Sequence, residues 1–368
     1  MIERSFRGNQ AEISQGILQA FFEYQSLIAE LADIDVVNAS MYDWASALGE
    51  AALMSKRLTR RDAFLVPHII HPERLDTLRT YANPVGIRIV EVETGSESGQ
   101  LDVEDLKSKI SKDVAGVYIE NPSYLGFLET QVDEIAELTH DNKSIFVVGV
   151  DPTSLGVIRP PGDYDADIVI GEGQPLGSPM NFGGPLLGIF GCKDDRRMIR
   201  HLPGRLIGMT TTEDGKKQGF VMTLSSREQH IRREKATSNI CTNEALGCVA
   251  AAVYLTLLGP EGIQKLGEII LQNSHYAMKK IGEIDGIKTP FFNSLHFKEF
   301  TVNVNETGIG IGDVQRSLLE LGIHGGKIIR EEFPEFGETS LFCVTEIHTK
   351  NDILKLVDAL SEIVGGGT

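Results

Sequence analysis

The sequence predicts an α/β protein: a large domain on a mostly parallel sheet covered on both faces, followed by a smaller α+β domain. Three observations carry this. Short apolar runs alternate with amphipathic helical patterns over about 130 residues, the signature of strand–helix–strand units. Gly259-Pro260 interrupts a long apolar helical pattern, and beyond it the order of elements changes. The chain has 368 residues, enough for two or three domains at roughly 150 residues each. The division falls at 258/259, giving domains 1–258 and 259–368.

The elements follow in order. Ile17, Phe21, Tyr24, Ile28 and Leu31 recur at steps of three and four, predicting a helix over 14–32 with one apolar face. Val36-Val37 begins a strand that enters the small-residue loop Asn38-Ala39-Ser40, and Asp43 caps a helix over 44–56. Strands are expected at 64–66, 87–92, 116–120, 144–150, 167–170 and 186–190, with helices at 72–81, 102–110 and 132–140 between them. Ligands of such sheets bind outside the carboxyl ends of the strands. Beyond Phe190 come a charged helical stretch over 226–235, a helix over 243–258 and two helices from about Gly262. Strands near 299–304 and 341–345 and helices at 311–321 and 351–364 complete the second domain, and residues 365–368 read as a frayed tail.

Composition narrows the function. The net charge is −17 with 52 acidic and 35 basic residues, which repels phosphodiester backbones and anionic lipid headgroups. No apolar run reaches the roughly 18 residues needed to span a bilayer, the longest candidate being 245–258. The first residues lack a signal-peptide layout, and Cys192, Cys241, Cys248 and Cys343 are scattered without a C-x-x-C, as in a reduced cytoplasmic protein. His68 and His71 have no acidic or cysteine partner at ligand spacing, so a metal site is not expected. The glycines at 308, 310 and 312 do not complete a dinucleotide fingerprint and read as a turn before a helix.

The stretch 148–188 is more informative. Asp151 ends a buried strand, where a carboxylate can hold a pyridinium nitrogen. A second strand follows about twenty residues later and leads into Glu172-Gly173-Gln174 and the Gly-rich Gly183-Gly184-Pro185, the place for a Schiff-base lysine. Residues 39–43 fit a phosphate cradle at a helix N-terminus. This is the layout of a pyridoxal phosphate (PLP) enzyme of the aminotransferase-like kind, fold type I. Its nucleophile is missing: no lysine lies between Lys143 and Lys193, and this chemistry needs an amine there.

Five segments then carry a family resemblance: Ala11-Glu-Ile-Ser-Gln-Gly16, Asn38-Ala-Ser-Met-Tyr-Asp43, Glu120-Asn-Pro-Ser-Tyr-Leu-Gly126, Gly171-Glu-Gly-Gln-Pro-Leu-Gly177 and the long Ser226–Asn243 run ending Lys-Ala-Thr-Ser-Asn-Ile-Cys-Thr-Asn, with Val344-Thr-Glu-Ile-His-Thr-Lys350 near the end. The chain resembles subunit 1, the α subunit, of the two-subunit glycine dehydrogenase (decarboxylating), the P-protein of the glycine cleavage system. In that family the β subunit keeps the lysine in a His-Lys-Thr context before a Gly-rich loop ending in Pro; counting back from Pro185, the equivalent here is Gln174.

The resemblance implies an α2β2 complex with the β subunit, PLP bound by β rather than by this chain, glycine as substrate and the lipoyl arm of H-protein as acceptor. It also implies that Thr237 and Ser238, after the cationic Arg227–Lys235 run, reach the partner's cofactor phosphate, as a similar turn does in the related cysteine desulfurases. Arg227, His230, Arg232, Arg233 and Lys235 could be a solvated helix face, the default for a charge run, but in an acidic protein just before Thr237 they read better as interface residues. Asp151 reads either as a vestigial pyridine partner or as a turn aspartate capping Pro152-Thr153. Tyr42, Trp44 and Tyr124 read as core or interface packing. Against the family pattern the N-terminus looks roughly 70 residues short, with Phe6-Arg-Gly-Asn-Gln10 in place of an aromatic approach. The alternatives are a homomeric PLP enzyme using Lys193 or Lys235, or a non-catalytic structural or regulatory paralogue. The helix over 14–32, with its apolar stripe, is the expected docking face for another chain.

Overall fold

The computed structural model describes residues 14–180, 182–240 and 243–365. Asn181, Cys241, Thr242, the start of the first motif and the last three residues lie outside these. The helix α1 (Gln15–Ala32) leads into the two-residue strand β1 (Val36–Val37) and then α2 (Trp44–Thr59). Next come β2 (Ala63–Pro67), α3 (Pro72–Ala82), β3 (Arg88–Val92), α4 (Val103–Lys109), β4 (Val114–Glu120), α5 (Val132–Asp141), β5 (Ile145–Val150), β6 (Ile168–Glu172), β7 (Gly188–Cys192) and α6 (Arg196–His201). The seven strands form one sheet in the order β1-β7-β6-β5-β4-β2-β3. From β3 to β6 neighbouring strands are parallel, and β7 and β1 add antiparallel pairs at one side.

Strand alternation divides the core between the two faces. Phe146, Val148, Val150 and Val169 point to one face, beneath Leu18, Phe21, Tyr24 and Ile28 of α1 and Ile135 of α5. Val147, Ile168, Ile170 and Phe190 point to the other, under Leu48, Ala51, Met54 and Leu78 of α2 and α3. The strands at 167–170 and 186–190 are displaced towards the C-terminus: β7 runs to Cys192 because it must pair Gly188 with Glu172 and Cys192 with Ile168.

The apolar stripe of α1 is corrected from a docking face to a core face. Leu18, Phe21, Tyr24, Ile28 and Ala32 are buried within this chain. Two glutamines on the same helix grip a hairpin that the sequence reading did not find, β8 (Leu206–Thr211) with β9 (Gln218–Thr223). Gln25 donates to the Ile207 carbonyl at 3.0 Å and accepts from its N–H at 2.9 Å, while Gln15 does the same with Phe220 at 2.9 and 2.8 Å.

The charged run 226–235 is not one helix. It breaks into a 3₁₀ turn at Ser225–Arg227, the single turn α7 (Gln229–Arg232) and a second 3₁₀ turn at Arg233–Lys235. Leu224 and Arg233 sit at φ 58° and 53°, left-handed positions that no helix can run through.

The helix α8 (Ala245–Ile281) crosses the 258/259 division, with a kink where Gly259 takes φ 62°, ψ −177° ahead of Pro260. Its Ala251, Leu255 and Ile263 join the first core, and Ala277, Met278 and Ile281 join a second. By length and composition it is the one described helix apolar enough to cross a membrane; the sequence reading ended this apolar pattern at the kink, which bends the helix without stopping it. Leu246, Val253 and Leu257 lie exposed along it. The second helix expected before Glu299 does not form; that stretch instead places Phe292 among Phe127, Tyr124, Phe333 and Phe336. The last unit pairs β10 (Glu299–Asn303), β11 (Lys327–Ile328) and β12 (Thr339–Cys343) in the order β10-β12-β11, covered by α9 (Ile311–Glu320) and α10 (Lys350–Gly365).

Candidate functional site

A cavity of about 580 Å³ opens at the carboxyl ends of the parallel strands, between the sheet and the last unit. From the sheet side it is lined by Trp44, His71, Arg74, Ser123, Tyr124, Asp151, Glu172 and Gln174; from the other side by Lys298, Glu299 and Lys327. Gly126 lets the two halves meet. It sits at φ 90°, and a Cβ there would lie 1.8 Å from the Glu299 carbonyl oxygen, so only glycine lets β10 start against this loop.

Asp151 meets its reading as a turn aspartate. One carboxylate oxygen accepts from the Thr153 N–H at 2.9 Å and its hydroxyl at 2.7 Å, the turn cap. The other is in an ion pair with Lys298. Burial works to raise the Asp151 pKa, but the Lys298 charge and these hydrogen bonds hold it below the usual range. Lys298 is raised in turn: Asp151, then Glu299, outweigh its own desolvation. The position where a pyridinium nitrogen would sit against Asp151 is thus taken by an ammonium from the last unit.

Gln174 stands on the loop after β6. Its N–H donates to Glu172 at 3.0 Å and its side-chain amide donates to the Ser178 carbonyl at 2.6 Å. The carboxamide serves as a loop brace, and it has no nucleophilic lone pair to offer an aldehyde. The cavity's lysines are Lys298 and Lys327. Lys193 is paired with Asp165 and Asp167 at 2.5 and 3.0 Å, and neither it nor Lys235 lines the cavity.

The loop 38–43 and the N-terminus of α2 spend their donors internally. Asn38 and Met41 donate to Phe190 and Gly188, and Ala39 to the Arg205 carbonyl. Asp43 caps the helix by accepting from the Ser46 N–H at 2.6 Å, and Glu172 accepts from the Trp44 N–H at 3.4 Å. Two carboxylates occupy the place where a phosphate would need N–H donors and a positive potential. Burial raises the Glu172 pKa against the pull of its three backbone donors. With no lysine on the loop after β6, Asp151 paired with Lys298 and the helix end capped by carboxylates, these residues do not fit pyridoxal phosphate.

A polar chain crosses the cavity floor. The Trp44 indole N–H donates to Tyr118 at 3.0 Å, the Tyr118 hydroxyl donates to Glu120 at 3.0 Å, and Arg74 pairs with Glu120 at 2.9 Å while lying 3.4 Å over the indole ring. Trp44 and Tyr124 are buried, as the packing reading requires, whereas Tyr42 is partly exposed. His68 lies between Glu91 and Glu335 at 3.2 Å each, and among the described residues no group of His, Cys, Asp and Glu can hold a metal ion.

Thr237 and Ser238 stand away from this cavity, in the wall between two others of about 330 and 890 Å³. Arg205 and Arg227 line the first, and Arg57 and Glu50 the second. Arg227 donates to the Gly204 carbonyl at 3.0 Å and its own carbonyl accepts from the Thr237 N–H, which fixes the turn. Four buried guanidinium nitrogens here have no partner among the described residues: Nε of Arg57, Nε of Arg205, and Nε and Nη1 of Arg227. Sequence reasoning missed Arg205, Lys298 and Arg74. Arg227 was read as one of a run of interface residues, and nothing local signals that it turns inward.

The family described as the glycine cleavage system P-protein matches residues 4–360. A curated protein from Staphylothermus marinus, "Probable glycine dehydrogenase (decarboxylating) subunit 1", is 53% identical over 98% of this chain and 76% of its own length. One of the same description from Pyrococcus furiosus is 52% identical over 99% of this chain and 81% of its own. A crystal structure of glycine decarboxylase (P-protein) in inhibitor-bound form superposes with TM-score 0.88 at 40% identity, covering 96% of this chain and 77% of that one. A sphingosine-1-phosphate lyase from Burkholderia pseudomallei, at TM-score 0.72 and 12% identity, shares the fold alone, which is the PLP fold type I. With more than half of its residues identical to the two curated relatives along nearly its whole length, this chain belongs to the glycine cleavage system P-protein family.

Proposed function

We propose that this chain is the α subunit of a two-subunit P-protein and supports glycine decarboxylation on PLP carried by the β subunit. The observation that carries the reading is the Gln174 loop, in which a brace replaces the nucleophile while Asp151 is neutralised by Lys298. A family member built this way cannot hold the cofactor's aldehyde, so catalysis falls to a partner. When bound there, the cofactor supplies the electron sink for loss of CO₂ from glycine, the aminomethyl group passing to the lipoyl arm of H-protein.

This chain contributes structure and surface. The exposed Leu246, Val253 and Leu257 of α8, with Met180 and Phe182 beside the Gln174 loop, are the apolar side chains suited to the β subunit. Thr237 and Ser238 act in trans on the partner's cofactor phosphate, a reading supported by the cationic Arg205 and Arg227 that line the same cavity. The assembly is α2β2. A reducing compartment, the cytoplasm, suits the unpaired thiols of Cys192, Cys248 and Cys343.

The test is to incubate the chain with PLP, reduce with borohydride and map the peptides, for the wild type and for Gln174→Lys. No stoichiometric pyridoxyl-lysine is expected in either, because a new lysine alone leaves Asp151 paired and the α2 end carboxylate-capped. A wild-type adduct on Lys298 or Lys327 sinks the reading.

A further inference from the structure

We propose that His68 is a proton-operated clasp, fastening the last unit to the sheet beside the cavity when its ring is charged and releasing it when the ring is neutral. His68 follows β2, and its N–H donates to the Val92 carbonyl at 2.8 Å, so its backbone belongs to the sheet. Its ring reaches two carboxylates from different parts of the fold. Nδ1 lies 3.2 Å from Glu91 of β3, and Nε2 lies 3.2 Å from Glu335. Glu335 stands in the 3₁₀ turn Pro334–Phe336, between β11 and β12 of the last unit.

The proton count of imidazole decides what this arrangement needs. A neutral ring offers one N–H and one lone pair, whereas the charged ring offers two N–H donors. Carboxylates at both nitrogens match the charged ring alone; a neutral ring turns its lone pair on one of them. That one is Glu335. Glu91 stays anchored, because Arg79 of α3 pairs with its other oxygen at 3.1 Å. Glu335 has no ion-pair partner but His68 among the described residues. Phe333 of the last unit completes the surroundings, edge-on to the ring at 6.2 Å. Burial works against the charge, but the hydrogen bonds to Glu91 and then Glu335 outweigh it and raise the His68 pKa. Such a ring lends stability at acid pH, and the gain is lost as pH rises through the raised value.

The segment 329–338, which Glu335 anchors, builds one wall of the cavity with its inner side. Phe333 packs against Tyr124 with centroids 6.2 Å apart. Glu332 accepts from the Tyr124 hydroxyl at 3.2 Å and pairs with Lys327 at 2.6 Å. Tyr124 and Lys327 both line the cavity. Arg330–Glu338 and Lys327–Glu332 stay inside the last unit, so among the described residues His68–Glu335 is the ion pair that carries this segment across to the sheet. Loss of one proton therefore undoes the outer fastening of a wall-forming segment. The His68 and Glu335 side chains are 39% and 46% exposed. Solvent screens such a pair, so a change of about two- to fivefold in the opening of the segment is expected.

The test has two readouts on the full chain. The first is an NMR titration of isotope-labelled histidine from pH 5 to 9, with the His68 signal assigned by its absence in His68→Gln. Its pKa should lie above the ordinary 6.5 or so, and Glu335→Gln should lower it by roughly half a pH unit. The second is hydrogen exchange of the 329–338 peptide at pH 6 and 8.5, corrected for the intrinsic rise of exchange with pH. Wild-type protection should fall about two- to fivefold at the higher pH. His68→Gln and Glu335→Gln should each show the looser state at both, so either variant suffices if the other does not fold. A His68 pKa at or below the ordinary value, no lowering by Glu335→Gln, or wild-type pH dependence of the segment in a folded variant overturns the proposal. Failure here leaves the borohydride test untouched, so the two readings fall separately.

Discussion

Two donor-rich corners of the same domain have opposite fates. At the N-terminus of α2 the backbone donors are taken up by Asp43, Glu172 and the strand carbonyls. At the Thr237–Ser238 turn four guanidinium nitrogens are buried without partners. A phosphate-binding architecture keeps its geometry in the first corner, yet the chain has closed it with its own carboxylates. The second corner is open, with cationic donors that this chain alone does not satisfy. The contrast teaches that a corner's capacity for an anion depends on which groups already occupy its donors. In the first corner the donors are neutralised and self-bonded, whereas in the second the unmet bonding capacity lies on buried guanidinium groups.

The comparison breaks most sharply at the ion pair of the closed site. Lys298→Met strands the Asp151 carboxylate in a buried setting and should cost about 3–5 kcal/mol in denaturant unfolding. Adding Asp151→Asn should recover much of that loss; if Lys298→Met alone is neutral, the pair does not hold the halves of the cavity together.

Next in size is Glu50, beside the open corner. Burial pushes its pKa up to about 7 in spite of Arg57 at 3.9 Å. A carboxyl group with a raised pKa binds its proton more tightly folded than unfolded. Its contribution is therefore favourable below about pH 4.5 and falls away as pH rises to about 7, by on the order of 3 kcal/mol. Unfolding measured across that window should show the fall, and Glu50→Gln should flatten it.

A third effect concerns assembly. Replacing Thr237 and Ser238 together with Ala should speed PLP loss from the co-expressed complex by about tenfold, the worth of one charge-assisted hydrogen bond. The stability of this chain should move by no more than about 0.5 kcal/mol. Wild-type retention would make the turn a chain reversal and nothing more. Smallest is the cap itself: Asp43→Ala should cost about 1 kcal/mol, read as a drop in the unfolding midpoint.

Apolar runs and turn chemistry made most of the sheet legible, because the unbroken Phe146-Val147-Val148 run announces a strand buried on both faces and Asp43 announces a helix start. The absence of lysine from residues 144–192 was legible too. The hairpin was missed although Asp214-Gly215 between two β-rich runs is a turn signal. The Asp151–Lys298 pair could not be read, since no local pattern ties a strand end to a residue that β10 delivers from the far unit. The α1 stripe shows the limit of amphipathicity: it says that a face is buried, and only the tertiary structure says against what.

The glutamines of α1 have a consequence for aggregation. A free two-stranded ribbon presents a row of unpaired N–H and C=O groups on each outer edge, a template for strands of other chains. Gln25 occupies the edge of β8 at Ile207 and Gln15 the edge of β9 at Phe220, each amide imitating the peptide of a neighbouring strand. The helix thus seals both sides of the ribbon without being a strand. During synthesis α1 emerges long before the hairpin, so the seal is waiting when the exposed edges form.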